Sequence, residues 1–308
     1  MSLYPPPEDL QLELWTRMPE RFRRSDTHCQ WGHANRPGEA LPCFIEGPAF
    51  DRDGHLWITD IPYGRLFRVA PDGDWQLALE YDGWPNGLAI HEDGRVFIAD
   101  YKRGILVHEP GSGRVQRVVA DRYSEHFRGC NDLIFDSAGR LYFTDQGQSG
   151  LHMPNGRVYR YDPVSKRLDC LIDTAPSPNG LVLTADERTL LVAMTRGNCV
   201  WRLPLMPDGG VSKVGLFIQL SGGLGGPDGM AIGADDSLLV AHVGNGCAWL
   251  FDRLGAPWLR LRTDTGLAVT NAAFGGIDRR EIFVTESVSG SILRARLPVA
   301  GAGLYSGA

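Results

Sequence analysis

The chain has 308 residues, 43% of them hydrophobic, which is ample for a large core and more than one ordinary domain holds unless it is built from repeats. A formal charge of −6 offers no basic field for a polyanion, so nucleic acid is excluded as an expected partner. No run approaches the ~20 apolar residues of a membrane helix, and the start of the chain lacks the basic-then-apolar pattern of an export signal; a soluble, cytoplasmic protein without membrane association is expected.

In chain order, residues 1–40 read as an arm ahead of a main domain at 41–308. Within the arm Leu10-Gln-Leu-Glu-Leu-Trp alternates with period two, as a strand does, and helical periodicity is confined to a short Pro-Glu-Asp start and the stretch Trp15 to Arg24. Arg21-Phe-Arg-Arg and Trp31 suit an interface, so the arm is compatible with a homo-oligomer.

From Phe44 onward one module recurs six times: a polar residue followed by a small one, an apolar run, a turn, then a β-rich run ending in a polar residue. The copies begin at Glu46, Asn86, Asn131, Asn179, Asp228 and Asn271, and their second runs at His55, Arg95, Arg140, Thr189, Ser237 and Glu281. Successive starts lie 40, 45, 48, 49 and 43 residues apart, room for four strands and their turns. The predicted fold is therefore all-β: a six-bladed β-propeller with four antiparallel strands per blade. The sixth copy ends one strand short after Ser291-Ile-Leu-Arg-Ala-Arg-Leu, and the arm strand at Leu10 to Trp15 is expected to complete it and close the ring.

Asn-Gly and Asp-Gly are also common hairpin turns. Here, however, the polar residue opens the innermost strand in every copy, and Pro85, Pro178 and Pro227 precede it in three. Equivalent positions on the inner strands converge on the propeller axis, so the six form a ring of two carboxylates and four carboxamides with no Lys or Arg among them. All are oxygen donors, which suits a hard divalent cation, Ca²⁺ first, then Mn²⁺ or Mg²⁺, while Zn²⁺, which favours His or Cys ligands, fits the set less well. Asp60, Asp100, Asp145, Thr195, His242 and Glu286 end the second strands on the same face. Of these His242 is a candidate proton shuttle or substrate contact, Arg103 and Arg128 are candidate contacts to substrate oxygens, and the long loop Gln146 to Gly156 is a candidate lid.

The six cysteines lack CxxC pairs and read as reduced apolar fillers, Cys130 included although it adjoins Asn131. No Gly-x-Ser-x-Gly elbow, phosphate-binding loop or dinucleotide fingerprint is present.

Glu46-Gly-Pro, Asn131-Asp with Asp136-Ser-Ala-Gly-Arg-Leu-Tyr, Ser177-Pro-Asn179-Gly-Leu and Pro227-Asp228-Gly-Met, spread between Phe44 and Leu297, resemble the senescence marker protein (regucalcin), gluconolactonase and luciferin-regenerating enzyme family, which also includes diisopropylfluorophosphatase. The resemblance implies a divalent cation held by Glu46, Asn179 and Asp228, with Asn131 as ligand or substrate contact. The Arg typical of the family two places before that Asn is absent: Gly129 stands there and Arg128 one residue earlier, which puts a sugar-acid contact in doubt. Asn86 completes the ring as a substrate-side or water-mediated contact. The expected activity is hydrolysis of a small sugar lactone, with Asp228 as the general base or, alternatively, the nucleophile. A phosphotriester hydrolase and a non-catalytic metal-stabilised binding propeller are the rival readings.

Overall fold

Six inner strands, Ile45–Phe50, Pro85–Ile90, Cys130–Phe135, Pro178–Leu183, Gly226–Ile232 and Val269–Gly275, begin the six large sheets of the computed structural model, which describes residues 5–24 and 29–307. Each is followed by antiparallel neighbours in chain order; in the first sheet these are Leu56–Asp60, Arg65–Val69 and Trp75–Glu80. The sheets are the blades of a six-bladed propeller.

The second strands are apolar on both faces because both faces are covered. Leu56–Asp60, Val96–Asp100 and Leu141–Asp145 are buried throughout, whereas the outermost Trp75–Glu80 mixes buried and exposed positions. The core is accordingly spread between blades. Ala49, Trp57 and Leu66 of the first blade pack on Leu88, Val96, Ile98 and Leu106 of the second, while Ile58 and Phe67 meet Phe283 and Ile292 of the sixth. The ring must close for the first and last blades to be covered.

Every inner strand breaks register at its polar opening, between Glu46 and Ala49, Pro85 and Leu88, Cys130 and Leu133, Pro178 and Leu181, Pro227 and Met230, and Val269 and Asn271. Such a bulge bends the strand and re-aims a side chain, here toward the axis. The small residue that follows has a steric reason. A Cβ on Gly47, whose φ is +59°, would lie 2.3 Å from the Asn86 carbonyl oxygen, and one on Gly180 2.5 Å from that of Asp228. The Asn-Gly and Asp-Gly pairs therefore mark close approach of neighbouring inner strands and not hairpin turns. Carbonyls freed by the bulges are capped from the preceding blade: Thr59 Oγ1 donates to Asn86 O at 2.8 Å, Thr144 Oγ1 to Asn179 O at 2.9 Å, Thr195 Oγ1 to Pro227 O at 2.8 Å and Ser287 Oγ to Ile45 O at 2.7 Å.

Closure comes from the N-terminal segment, at a different register from the expected Leu10 to Trp15. Glu13–Arg17 pairs antiparallel with Ser291–Arg296 as the fourth strand of blade six. Glu8–Gln11 instead runs parallel to Pro257–Arg262 as a fifth strand of blade five. The crossing point is Leu12, only 4% exposed and packed in the cluster shared by the last two blades, so one apolar side chain anchors both strands. Trp15 adds an edge-on contact to Phe283 at 4.9 Å. Trp15 to Arg24 is correspondingly strand and then a single 3₁₀ turn, Glu20–Phe22; the helix of this region is Gln30–Asn35, capped by Cys29 Sγ accepting from Gly32 N.

The C-terminal residues cross the far end of the central channel. Ala302 N bonds to Ile232 O of blade five, the Tyr305 ring lies 5.2 Å from Phe135 of blade three, and Arg52 Nε of blade one donates to Ser306 O. They roof an apolar space of about 210 Å³ with Phe50, Leu133 and Met230 among its walls.

Leu12→Ala is expected to cost ~2–4 kcal/mol, the usual range for emptying a buried leucine site, read as a lowered denaturant midpoint. An unchanged midpoint would show that the N-terminal seam does not hold the ring shut.

Candidate functional site

Glu46, Asn86, Asn131, Asn179 and Asp228, drawn from five blades, line one cavity of about 930 Å³ at the end of the channel opposite the C-terminal crossing. Asn271 of the sixth blade does not line it. Its Nδ2 donates to Glu46 Oε2 at 2.9 Å, and Gly47 N donates to the same oxygen at 2.6 Å. Glu46, which also bonds the Thr270 side chain, is thus held in place by neighbours from blade six and its own strand while lining the cavity.

The carboxamides are oriented in the same manner. Asn131 Nδ2 donates to Gln146 Oε1 at 3.1 Å, and Gln146 Nε2 donates in turn to Ser177 Oγ at 3.0 Å. Asn179 Nδ2 donates to Thr195 Oγ1 at 3.2 Å and also bonds the Asp228 carboxylate. With the nitrogens committed to protein acceptors, the amide oxygens remain to face the centre.

The electrostatics are unbalanced. Burial pushes the Glu46 carboxyl above the ordinary carboxylate range. Burial, followed by the charge on Glu46, pushes Asp228 well above it. A third acid shares the axis: Asp132 follows Asn131 at the register where four other copies carry Gly and one Ala272, and it faces the apolar side of the ring. Burial and then Glu46 raise it to about 8. Among the described residues no Lys or Arg forms an ion pair with any of the three. Arg196, exposed on the cavity wall, favours the Asp228 anion only through space. An all-oxygen donor set, amide nitrogens of Asn131 and Asn179 held by protein acceptors, and surplus acid together fit a hard divalent cation.

The second ring serves mainly to anchor the loops that enter the inner strands. Asp60 accepts from Phe44 N and pairs with Arg65; Asp100 accepts from Trp84 N, Lys102 N and the Tyr81 hydroxyl; Asp145 accepts from Arg128 N and Gly129 N; Glu286 accepts from Ala268 N. Thr195 alone of this ring touches a cavity side chain.

Three sequence candidates, His242, Arg128 and Arg103, stand apart from the cavity. His242 is fully buried, with Nδ1 accepting from Trp249 Nε1 at 3.1 Å and its ring behind Gly223. It sits on a strand of blade five and does not line the cavity. The Arg128 guanidinium donates to Asn155 O and Glu125, outside the cavity wall. Arg103 is likewise spent on the Asp82 carbonyl. Cys130 is buried, and burial raises its thiol pKa well above the ordinary value, leaving it inert. The loop after Asp145 does border the cavity: its base carries Gln146 and Ser149, and its tip, Leu151 to Met153, is exposed.

Sequence reasoning missed Asp132, Gln146 and Arg196. For Asp132 the signal was present, since it is the single acidic residue at a register otherwise Gly or Ala. Gln146 and Arg196 carry no such mark, because their reach depends on loop paths. A separate grouping, Asp51, Asp53 and His55 at a surface turn, is already partly compensated by Arg68, which pairs with both carboxylates.

Residues 44–288 match the model of the SMP-30/Gluconolactonase/LRE-like region. Lactonase drp35 of Staphylococcus aureus (strain MRSA252) is 34% identical over 223 residues, 69% of this chain and 68% of the relative; the Staphylococcus epidermidis (strain ATCC 12228 / FDA PCI 1200) lactonase drp35 is 33% identical over 224 residues, 69% and 67%. The fold is shared with the Xanthomonas campestris gluconolactonase XC5397 (TM-score 0.73, 23% identity, 83% of this chain and 86% of that one). It is also shared with a calcium-binding regucalcin of Agrobacterium tumefaciens str. C58 (TM-score 0.75, 20% identity, 96% and 97%).

In the metal-stripped protein Asp132 stays protonated when folded up to about pH 8, whereas the unfolded chain releases that proton above its ordinary 3.8. The unfolded state binds fewer protons across this window, so stability is highest below it and falls as pH rises toward 8. Denaturant midpoints of EDTA-treated protein are expected to decline from pH 5 to 8, and Asp132→Asn to flatten the decline; the same slope in both proteins would remove Asp132 from the account. Thr195→Val keeps shape but removes one of the two acceptors of the Asn179 amide, and is expected to weaken divalent-cation binding at this ring about 10- to 100-fold by calorimetry.

Proposed function

The chain belongs to the SMP-30/gluconolactonase/LRE-like family, and from that premise we propose that it hydrolyses a small lactone at the axial ring, with a divalent cation held by Glu46, Asn131, Asn179 and Asp228. The observation that carries this reading is the pair Glu46 and Asp228, uncompensated acids flanked by oriented carboxamides on the wall of an open cavity. The names of its relatives, lactonase and gluconolactonase, agree with it. Ca²⁺ is the first candidate for this donor set, before Zn²⁺, Mn²⁺ and Mg²⁺.

A cation there would supply the positive charge that lets both acids ionise and would polarise the lactone carbonyl. Asp228, which keeps accessible surface toward the cavity while Asn179 fixes its carboxylate, takes a proton from the attacking water. The water oxygen bonds to the carbonyl carbon, the ring C–O bond breaks, and the proton held on Asp228 passes to the departing ring oxygen, giving the hydroxy acid. Asn131 and Asn86 orient the substrate from neighbouring blades. Arg196, whose guanidinium pairs with no described acid, supports the Asp228 anion and offers a counter-charge for the product carboxylate. The sugar lactone suggested by the resemblance is one member of the substrate class; an aldonolactone and a fluorophosphate assayed side by side separate the lactonase from the phosphotriesterase reading.

Lactone turnover is expected to vanish with EDTA and return with added divalent cation. Asp228→Asn should lower kcat by about 10²–10⁴-fold, the usual worth of a general base. Full activity in either experiment would end the proposal.

A further inference from the structure

The cavity is larger than one lactone ring demands: about 930 Å³ stands near the top of the ~300–1,000 Å³ range of pockets that take drug-sized ligands. Its chemistry is also divided. The axial ring is polar, whereas the wall above it is mixed and carries one apolar stretch, Trp31, Phe44 and Ile61, with Leu224 and Leu267 also at the wall. Trp31 is 7% exposed and its ring centre lies 4.8 Å from that of Phe44, while Leu224 and Leu267 keep 84% and 57% of their surface open at the mouth. Large apolar side chains left bare around one opening favour an apolar guest. Arg36, on the same wall as Trp31, is spent on Glu39, and Arg196, which pairs with no described acid, stands beside Asp228 at the axial ring, where it meets the lactone carboxyl and not the substituent.

Trp31 reaches the cavity because the short helix Gln30–Asn35 is tied across the mouth. Gln148 Nε2 of the blade-three loop donates to the Tyr101 hydroxyl at 2.7 Å and contacts Asn35 Oδ1 at 3.4 Å. The base of that loop is fixed, with Ser149 Oγ donating to Gln146 O and accepting from Ser177 N. One exposed glutamine therefore bridges the N-terminal helix, blade two and blade three over the site.

We infer that the N-terminal helix and the blade-three loop form a roof latched by Gln148, and that Trp31 beneath it is a specificity-determining residue selecting lactones with an apolar ring substituent. This rests on the lactonase reading of the axial ring. The lactone group meets the polar ring while its substituent lies along Trp31 and Phe44 and leaves past Leu224.

The test compares δ-decalactone, δ-valerolactone and glucono-δ-lactone as substrates of the intact, cation-loaded protein. δ-Decalactone is expected to have the highest kcat/KM. Trp31→Ala should lower that value at least tenfold, through KM, while δ-valerolactone stays within twofold, and Trp31→Phe should recover most of the loss. Should Trp31→Ala fail to fold, Gln148→Ala on the surface is expected to raise KM for δ-decalactone severalfold and leave δ-valerolactone unchanged. An equal fall on both lactones, or an unaltered protein that prefers glucono-δ-lactone, overturns the inference. If the unaltered protein opens none of the three, the lactonase reading falls instead. Calorimetric binding of δ-decalactone then decides the subsite: binding lost in Trp31→Ala sustains it, and absent or equal binding overturns it.

Discussion

Three carboxyl groups gathered around one axis, Glu46 buried and Asp132 and Asp228 half-buried, have no ion-pair partner among the described residues, and they set the terms for everything above and below them. Glu46 and Asp228 face the cavity, Asp132 faces the apolar side, and burial raises the pKa of all three. In a dry protein such a group either keeps its proton or finds a positive charge. The surrounding amides are arranged for the second outcome, because Gln146 and Thr195 occupy the nitrogen ends of Asn131 and Asn179.

That convergence is produced by backbone and not by side-chain choice alone. The bulge at the head of each inner strand turns one residue toward the axis, glycine lets the next strand approach, and hydroxyls from the preceding blade cap the displaced carbonyls. Since each stitch joins two blades, the ring of donors is only as well defined as the closed propeller. Closure in turn depends on Leu12 and Trp15 from the far end of the chain.

The two ends of the channel are finished differently. The C-terminal residues cross the apolar end below Asp132. The mouth stays open between a helix and a loop joined by Gln148, and its rim mixes exposed Leu224 and Leu267 with polar side chains such as Arg36, Gln148 and Arg196. The axial acids thus lie between an apolar floor and a mixed entrance, where burial strengthens electrostatic interactions.

Six blades, their inner strands, the missing last strand and the axial residues could all be read from the chain, because each follows from a local pattern repeated at a regular interval. Asp132 was legible too, as an exception to that repeat. The exact closing strand was not: Leu10 to Trp15 alternates evenly, and only packing reveals that Leu12 divides it between two blades. His242 and Arg128 hold plausible places in the sequence, yet strand pairing buries the first and a neighbouring acid claims the second. The path of the N-terminal helix over the mouth, and hence the place of Trp31, joins residues over a hundred positions apart. Periodicity encodes which face a residue takes within a strand; which distant side chains meet is decided by how the strands are bent, paired and closed into a ring.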